Sequence, residues 1–110
     1  MSGDSMQFKF EIKQSEKDST VFVVKLGEHV LGGVDAINFR DEVAQFAKTD
    51  AAKLLADLSD VELMNSTGLG MLISAYSTLK KAGKDFSLIN IPEKVQQLLR
   101  LTKLDSVLIQ

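Results

Sequence analysis

The chain has 110 residues, of which 45% are hydrophobic and 25% charged, a composition typical of one soluble globular domain spanning residues 1–110. Its formal charge of −2 argues against a broad nucleic-acid-binding surface, and the absence of cysteine excludes disulfides, thiolate metal sites and cysteine nucleophiles. No stretch reaches the about 18 to 20 apolar residues of a membrane span and no secretory signal is visible at the N-terminus, so we expect a cytoplasmic protein.

The N-terminal part of the chain predicts an antiparallel β-hairpin after a loose terminus at residues 1–6. Phe8, Phe10 and Ile12 alternate with charged residues, which is the period of a strand with one solvent-facing side. Val21–Leu26 (VFVVKL) is a second and more apolar strand. The short polar link between the two strands favours a hairpin.

Glycines predict a loop over residues 27–33, followed by a helix that Asp35 can cap. His29 lies in this loop and is expected to be solvent-exposed. Because it is the only histidine, a metal site built from several histidines is excluded. The helix carries an apolar stripe at helical spacing, formed by Ile37, Val43 and Phe46, with Phe39 and Ala47 at its edges.

The middle of the chain predicts a third strand and a second helix. Residues 53–58 (KLLADL) contain an apolar run that predicts a strand buried on both faces, as in a parallel sheet covered by helices. The following helix ends at Lys80-Lys81-Ala82-Gly83, since basic residues in a last turn followed by glycine are a usual stop. The apolar face of this helix consists of Leu69, Leu72, Ile73, Tyr76 and Leu79.

The C-terminal part predicts one more strand at residues 86–91 and a helix that starts at Pro92. The apolar face of that helix consists of Val95, Leu98, Leu99 and Thr102. Residues 107–109 (VLI) can form a short final strand. The order β-β-α-β-α-β-α therefore predicts a single α/β domain, in which a mixed, mostly parallel sheet of four to five strands, opened by the antiparallel hairpin, packs against helices.

The segment between the third strand and the second helix carries small polar residues at a helix start. Backbone N–H groups at such a start have no intrahelical partner, and the helix dipole favours negative charge there. Asn65 or Ser66 can cap the helix by accepting a hydrogen bond from an N–H group two or three residues further on. In the preceding loop, Asp57, Asp60 and Glu62 favour a solvated acidic rim over a divalent metal site.

Known catalytic motifs do not match this segment. Gly68-Leu69-Gly70 lacks the third glycine of a dinucleotide-binding fingerprint and the Gly-Lys-Ser/Thr of a phosphate-binding loop. Ser66 has no Gly-x-Ser-x-Gly elbow, and the single histidine is distant in sequence. We therefore expect no catalytic residue, no cofactor and no metal. The two glycines indicate that the sheet or a partner approaches the helix backbone closely, because glycine within a helix costs about 1 kcal/mol relative to alanine.

Residues 57–70 (DLSDVELMNSTGLG) resemble the signature of the STAS domain, and more narrowly that of bacterial anti-sigma-factor antagonists. That family has a strand ending in Asp-Leu-Ser, an apolar step, and then Asp-Ser-Ser/Ala-Gly-Leu-Gly at a helix start. Residues 98–105 (LLRLTKLD) are similar to the closing helix of the family, so the resemblance extends from Phe8 to Ile109. The chain departs from the pattern at Asn65, where the family usually has aspartate, and in residues 27–33, which lack its Gly-x-Ile/Leu-Asp turn.

The resemblance implies a regulatory protein that is not an enzyme. In that family, the unmodified antagonist binds an anti-sigma factor that is also a serine kinase, phosphorylation of a serine at the helix start breaks the complex, and a PP2C-type phosphatase reverses the modification. Carried onto this sequence, the phosphoacceptor is Ser66, with Thr67 as second candidate. The implied partner-binding residues are Asp57, Asn65, Ser66, Thr67, Gly68 and Leu69. We also expect no direct contact with nucleic acid, no membrane insertion and a monomer when free.

Two alternatives remain open at this stage. The chain can be an unphosphorylated STAS interaction subunit of a transporter or another signalling complex, in which Ser66 and Thr67 only cap the helix. Pull-down of a transporter ATPase in place of a kinase would favour this alternative. A small enzyme is the second alternative, which the missing catalytic constellation disfavours; labelling of Ser66 by a serine-directed probe would favour it.

Overall fold

The computed structural model describes residues 10–31 and 34–109. The predicted loose terminus at residues 1–6 and the strand position Phe8 lie outside these ranges. Within the described ranges, the chain forms strands and helices in the order β1 (Phe10–Gln14), β2 (Val21–Leu26), β3 (His29–Val30), α1 (Val34–Phe46), β4 (Lys53–Asp57), β5 (Leu63–Met64), α2 (Ser66–Lys81), β6 (Asp85–Ile89), α3 (Glu93–Leu101) and α4 (Asp105–Leu108).

The main sheet confirms the predicted α/β architecture. Its strand order is β1-β2-β4-β6, in which β1 is antiparallel to β2, and β2, β4 and β6 are parallel to one another. The register places Val24, Ala56 and Leu88 side by side across the three parallel strands. The predicted N-terminal hairpin and the mostly parallel arrangement are therefore both confirmed.

Helices α1 and α2 cover one face of this sheet. The crossovers β2-α1-β4 and β4-α2-β6 step in the same direction across the sheet, and right-handed crossovers of this kind place both helices on the same side. The aromatic contacts of α1 identify that side. Phe39 packs edge-on against Phe10, and Phe46 against Phe22, with ring centroids 5.3 Å apart in each pair.

Strand β4 is fully buried on only one face, so the prediction of burial on both faces is wrong. Leu54 and Ala56 are 0% exposed, whereas Leu55 between them is half-buried. The opposite face of the sheet is covered mainly at β6, which α4 contacts. Ser87 of β6 is buried there, beside Leu55 of β4. An apolar run cannot by itself distinguish complete cover on two faces from partial cover on the second.

Helix α1 departs from the prediction at two positions. It begins at Val34, so Asp35 lies inside the first turn and not at the predicted cap position before it. Phe39 is 0% exposed and belongs to the centre of the buried stripe, whereas Ile37 is 52% exposed and lies outside it. Positions two residues apart differ by about 200° around a helix, so both side chains cannot face the sheet.

Helix α2 ends as the sequence predicts. Gly83 has a φ of +78°, and the N–H groups of Gly83 and Lys84 donate to the carbonyl oxygens of Lys80 and Leu79, which completes a standard C-terminal cap. Like the other helices in the described ranges, α2 lacks the length and apolar character needed to cross a membrane.

The buried face of α2 is rotated slightly from the predicted one. Ile73 is 36% exposed and Tyr76 is half-buried, whereas Met71 and Ala75 are buried in their place. The other predicted members of the face are buried, namely Leu69, Leu72 and Leu79.

The end of the chain differs from the prediction of a last strand at residues 107–109. Pro92 has extended backbone angles and is the N-cap of α3, whereas the sequence predicts it as the first helical residue. Lys103 has a φ of +61°, which turns the chain after α3, and residues 105–108 then form the short helix α4. Leu108 is 0% exposed, so the apolar signal of this segment reflects the burial of a helical turn.

The sequence pattern misses a second, two-stranded sheet. Strands β3 and β5 pair in parallel, with His29 opposite Leu63 and Val30 opposite Met64. The predicted loop over residues 27–33 is therefore wrong at residues 29–30, and His29 is half-buried instead of exposed. Strands of two residues are too short to show an alternating pattern.

Candidate functional site

The start of α2 follows the carboxyl end of a parallel strand, which is the usual location of a functional site in an α/β sheet. Strand β4 ends at Asp57, the chain passes through β5, and α2 begins at Ser66. The Asn65 N–H donates to the Val30 carbonyl oxygen of β3 at 3.4 Å. This hydrogen bond joins the segment after β2 to the predicted site.

Asn65 is the N-cap of α2. It has extended backbone angles, and its Oδ1 accepts a hydrogen bond from the Gly68 N–H at 2.8 Å. Its Nδ2 donates to the Leu31 carbonyl oxygen at 3.3 Å. Of the two predicted cap residues, Asn65 therefore has the role and Ser66 does not. An aspartate at this position could accept from Gly68 but could not donate to Leu31.

Ser66 is the first residue of α2, and its side chain is exposed. Its hydroxyl makes no hydrogen bond with the residues that the structure describes. Thr67, the next residue, is also exposed. Since the cap does not use either hydroxyl, both are accessible at a helix N-terminus, where a negative charge is favoured.

The two glycines of the motif have different surroundings. Gly68 is buried, and a Cβ atom added to it would overlap the backbone carbonyl of Val30. Gly70 is exposed, and a Cβ atom there would meet nothing within 4 Å. Close approach of the backbone therefore explains Gly68, and the partner along that side is strand β3. The described residues provide no such explanation for Gly70.

Two of the predicted partner-binding residues lie in the interior of the free chain. Leu69 is 4% exposed and belongs to the hydrophobic core, and Gly68 is covered by Val30. These residues position the helix and present no side chain on the surface. The predicted partner-binding residues with accessible side-chain atoms are Asp57, Asn65, Ser66 and Thr67.

Asp57 connects the ends of β4 and β6. Its Oδ1 accepts hydrogen bonds from the Ser59 N–H at 2.9 Å and from Asn90 Nδ2 at 3.2 Å. Partial burial raises the pKa of Asp57, but the hydrogen bonds from Ser59 and Asn90 and the charge of Lys25 outweigh that effect, so the pKa lies below its ordinary value. Asp57 is therefore charged at neutral pH and stabilises this edge of the sheet.

The remaining acidic residues of the loop do not converge on one point. Asp60 forms an ion pair with Lys25 at 3.6 Å, and Glu62 is exposed. Within the ranges that the structure describes, no group of three or more histidine, aspartate or glutamate side chains is arranged to hold a metal ion.

A groove between α1 and α2 begins beside Thr67 and was not predicted from the sequence. It has a volume of about 190 Å³, and its walls include Ile37, Arg40 and Met71. The sequence pattern places Ile37 on the buried stripe of α1, so it gives no indication of this groove.

Comparison with known proteins gives one family and several relatives. A family model for the STAS domain matches residues 11–109. The anti-sigma-B factor antagonist of Bacillus subtilis (strain 168) is 28% identical to this chain over 106 residues, which cover 94% of this chain and 90% of that protein.

Several solved structures are similar to this chain in fold, and two of them are structures of SpoIIAA. The anti-sigma factor antagonist SpoIIAA in its unphosphorylated form matches with a TM-score of 0.76 and 13% identity, covering 93% of this chain and 86% of that chain. The Bacillus cell fate determinant SpoIIAA in its phosphorylated form matches with a TM-score of 0.73 and 13% identity, covering 93% and 89%. At this identity, both similarities describe the fold alone.

Proposed function

Because the chain belongs to the STAS-domain family, we propose that it is an anti-sigma-factor antagonist in a partner-switching system. It binds an anti-sigma factor that is a serine kinase while Ser66 is unmodified, and phosphorylation of Ser66 releases it. A PP2C-type phosphatase restores the binding form, and Thr67 is the second candidate phosphoacceptor. The proposal places the protein in the cytoplasm as a monomer when free, with no enzymatic activity of its own and no direct contact with nucleic acid.

One observation carries this proposal. Ser66 has an exposed hydroxyl, without a hydrogen bond among the described residues, at the first position of a capped helix. A kinase needs such a hydroxyl, because a side chain engaged in the cap would have to leave the helix terminus first. The relative from Bacillus subtilis, an anti-sigma-B factor antagonist, supports the proposed class of partner. The fold itself occurs in SpoIIAA with and without phosphorylation.

The helix start can accept a phosphate without refolding. The side-chain and backbone oxygens of Asn65 accept the N–H groups of Gly68 and Leu69. The N–H groups of Ser66 and Thr67 precede these bonds and have no acceptor within the helix. A phosphate adds about −1.5 to −2 charges at neutral pH, and the helix dipole favours that charge at an N-terminus. Asn65 is neutral, so no carboxylate adjoins the phosphate in sequence.

An interface over the same surface is affected in the opposite way. A partner that packs on Ser66 would have to remove water from the phosphate, and burial of an unpaired charge is strongly unfavourable. The modification therefore acts through charge and size at the contact, while the domain keeps its fold. We therefore expect the modified and unmodified forms to differ in partner binding. Their free energies of unfolding should differ by no more than the helix-dipole contribution of about 1 kcal/mol.

Phosphopeptide mapping tests the proposal directly. The chain is incubated with the anti-sigma serine kinase of the same organism and ATP, and fragment spectra distinguish Ser66 from Ser77, an exposed serine later in the same helix. We expect modification at Ser66, its loss in Ser66→Ala, and none at Ser77. An unmodified Ser66 and Thr67 under conditions in which the kinase is active would refute phosphorylation control.

Capture of partners tests the switch. We expect Ser66→Ala to retain the anti-sigma factor and Ser66→Asp to lose it, because only the second variant places a charge at the contact. Equal capture by both variants would contradict the switch. If both instead retain a transporter ATPase and no kinase, the chain is an unphosphorylated interaction subunit of another complex.

A further inference from the structure

The groove between α1 and α2 is a preformed space on the surface that contains Thr67. Its volume is about 190 Å³, and a space of roughly 150 Å³ is enough for a benzene-sized group. The floor is formed by the buried side chains of Phe39, Val43 and Met71. The groove therefore has room for one large apolar side chain from another molecule.

The space exists because the facing positions of the two helices carry short side chains. On α2, the lining residues Thr67, Ser74, Ala75 and Thr78 recur at helical spacing along one face, and Ala36 faces them from α1. Short side chains leave a gap where larger residues would interdigitate. Met71 lies among them, and a methionine side chain adapts readily to different apolar partners.

Two side chains at the rim indicate the chemistry of an occupant. Ile37 is 52% exposed, although burial of a large apolar side chain is favourable. Arg40 is exposed and forms no ion pair with the residues that the structure describes. Among the described lining residues Arg40 is the charged one, so the rim is complementary to an acidic group beside an apolar side chain.

We propose that this groove binds an apolar side chain of the anti-sigma factor, while an acidic group next to that side chain pairs with Arg40. The inference rests on the proposed function, because it takes the anti-sigma factor as the occupant. Thr67 lines the groove and Ser66 precedes it, so the modified residue borders the contact. A phosphate on Ser66 then repels the acidic group of the partner, which makes release a consequence of charge.

A second exposed apolar surface provides the control. It lies between β5 and α3, where Leu63 is 53% and Leu101 82% exposed. Its rim contains charges of both signs, Glu62 and Lys94, so it lacks the single-sign complementarity of the groove. If this second surface binds the anti-sigma factor, substitutions there and not in the groove will weaken the complex.

The experiment compares matched substitutions by titration calorimetry with the purified anti-sigma serine kinase of the same organism. Ile37→Asp and Leu101→Asp each place a carboxylate on an exposed apolar position, and Arg40→Glu and Lys17→Glu reverse one exposed charge, the second in the β1–β2 turn. We expect Ile37→Asp and Arg40→Glu to weaken binding by about tenfold or more, and the two control variants to change it by less than about twofold. Ile37→Ser serves if Ile37→Asp unfolds, which thermal melting reveals.

The outcomes separate this inference from the function on which it rests. If the wild-type chain is phosphorylated at Ser66 and binds the kinase, but Ile37→Asp and Arg40→Glu bind as tightly as the wild type, the groove is not the contact and the proposed function stands. If Leu101→Asp is the variant that loses binding, the surface between β5 and α3 is the contact. If the wild-type chain neither binds the kinase nor becomes modified, both proposals are wrong.

Discussion

Gly68 of α2 packs directly against the backbone carbonyl of Val30 in β3, with the position of a Cβ atom only 2.7 Å from the carbonyl carbon. The same carbonyl oxygen accepts the Asn65 N–H, and the Asn65 side chain donates to Leu31. The first turn of α2 is therefore held against β3 by backbone contact and hydrogen bonds. This arrangement fixes the direction in which Ser66 is presented.

The two glycines of the motif are expected to respond oppositely to alanine. Gly68→Ala must displace backbone atoms of β3, so we expect a loss of about 1–3 kcal/mol in the free energy of unfolding. Gly70→Ala meets open space and should gain about 0.5–1 kcal/mol through helix propensity. Urea unfolding of both variants measures the difference, and a stabilised Gly68→Ala would show that β3 is not in close contact with the helix.

Two substitutions of Asn65 should distinguish the stability contributions of its two side-chain hydrogen bonds. Asn65→Ala loses the acceptor for the Gly68 N–H and the donor to Leu31, so we expect a loss of about 1–2 kcal/mol. Asn65→Asp keeps the acceptor and gains the favourable dipole interaction, so its loss should be smaller. Thermal melting of the two variants gives the order, and an equal loss in both would mean that the donated hydrogen bond dominates.

Lys84 is expected to contribute to stability although it is charged. It is 8% exposed, and its Nζ donates to the carbonyl oxygens of Thr49 at 2.6 Å and Ala51 at 2.5 Å. Lys84→Met would leave both carbonyls without this donor, with an expected loss of about 1–3 kcal/mol. Lys81→Met removes an exposed lysine of α2 and should change stability by less than about 0.5 kcal/mol. Guanidinium unfolding of both variants provides the comparison.

Asp57 should make the stability of the fold depend on pH. A carboxyl whose pKa is lower in the folded than in the unfolded chain stabilises the fold above the unfolded pKa, and this contribution disappears as the pH falls through the folded pKa. We therefore expect Asp57→Asn to lose less stability than the wild type between about pH 6 and about pH 3. The difference should stay below about 1 kcal/mol, because water screens a partly exposed carboxylate. If the free energy of unfolding of Asp57→Asn and of the wild type changes with pH in parallel, Asp57 does not have this role.

Much of the architecture follows from short-range patterns in the sequence. The alternation in β1, the apolar runs of β2 and β4, and the basic residues before Gly83 predict the order of the main elements because each signal reflects local geometry. The errors concern positions where burial depends on a neighbour. Ile37 has the pattern of a buried residue and lies on a surface groove, and residues 105–108 form a helix because Leu108 packs into the core.

The local sequence alone determined that a helix starts near residue 65 and that hydroxyls and glycines stand at its first turn. It could not decide between Asn65 and Ser66 as the cap, because both are good acceptors at the same distance along the chain. Only the tertiary structure decided this, through Leu31 and the carbonyl of Val30, which are more than thirty residues away in sequence and hold Asn65 at the helix end. The Ser66 hydroxyl takes no part in the cap because that long-range contact assigns the cap to Asn65.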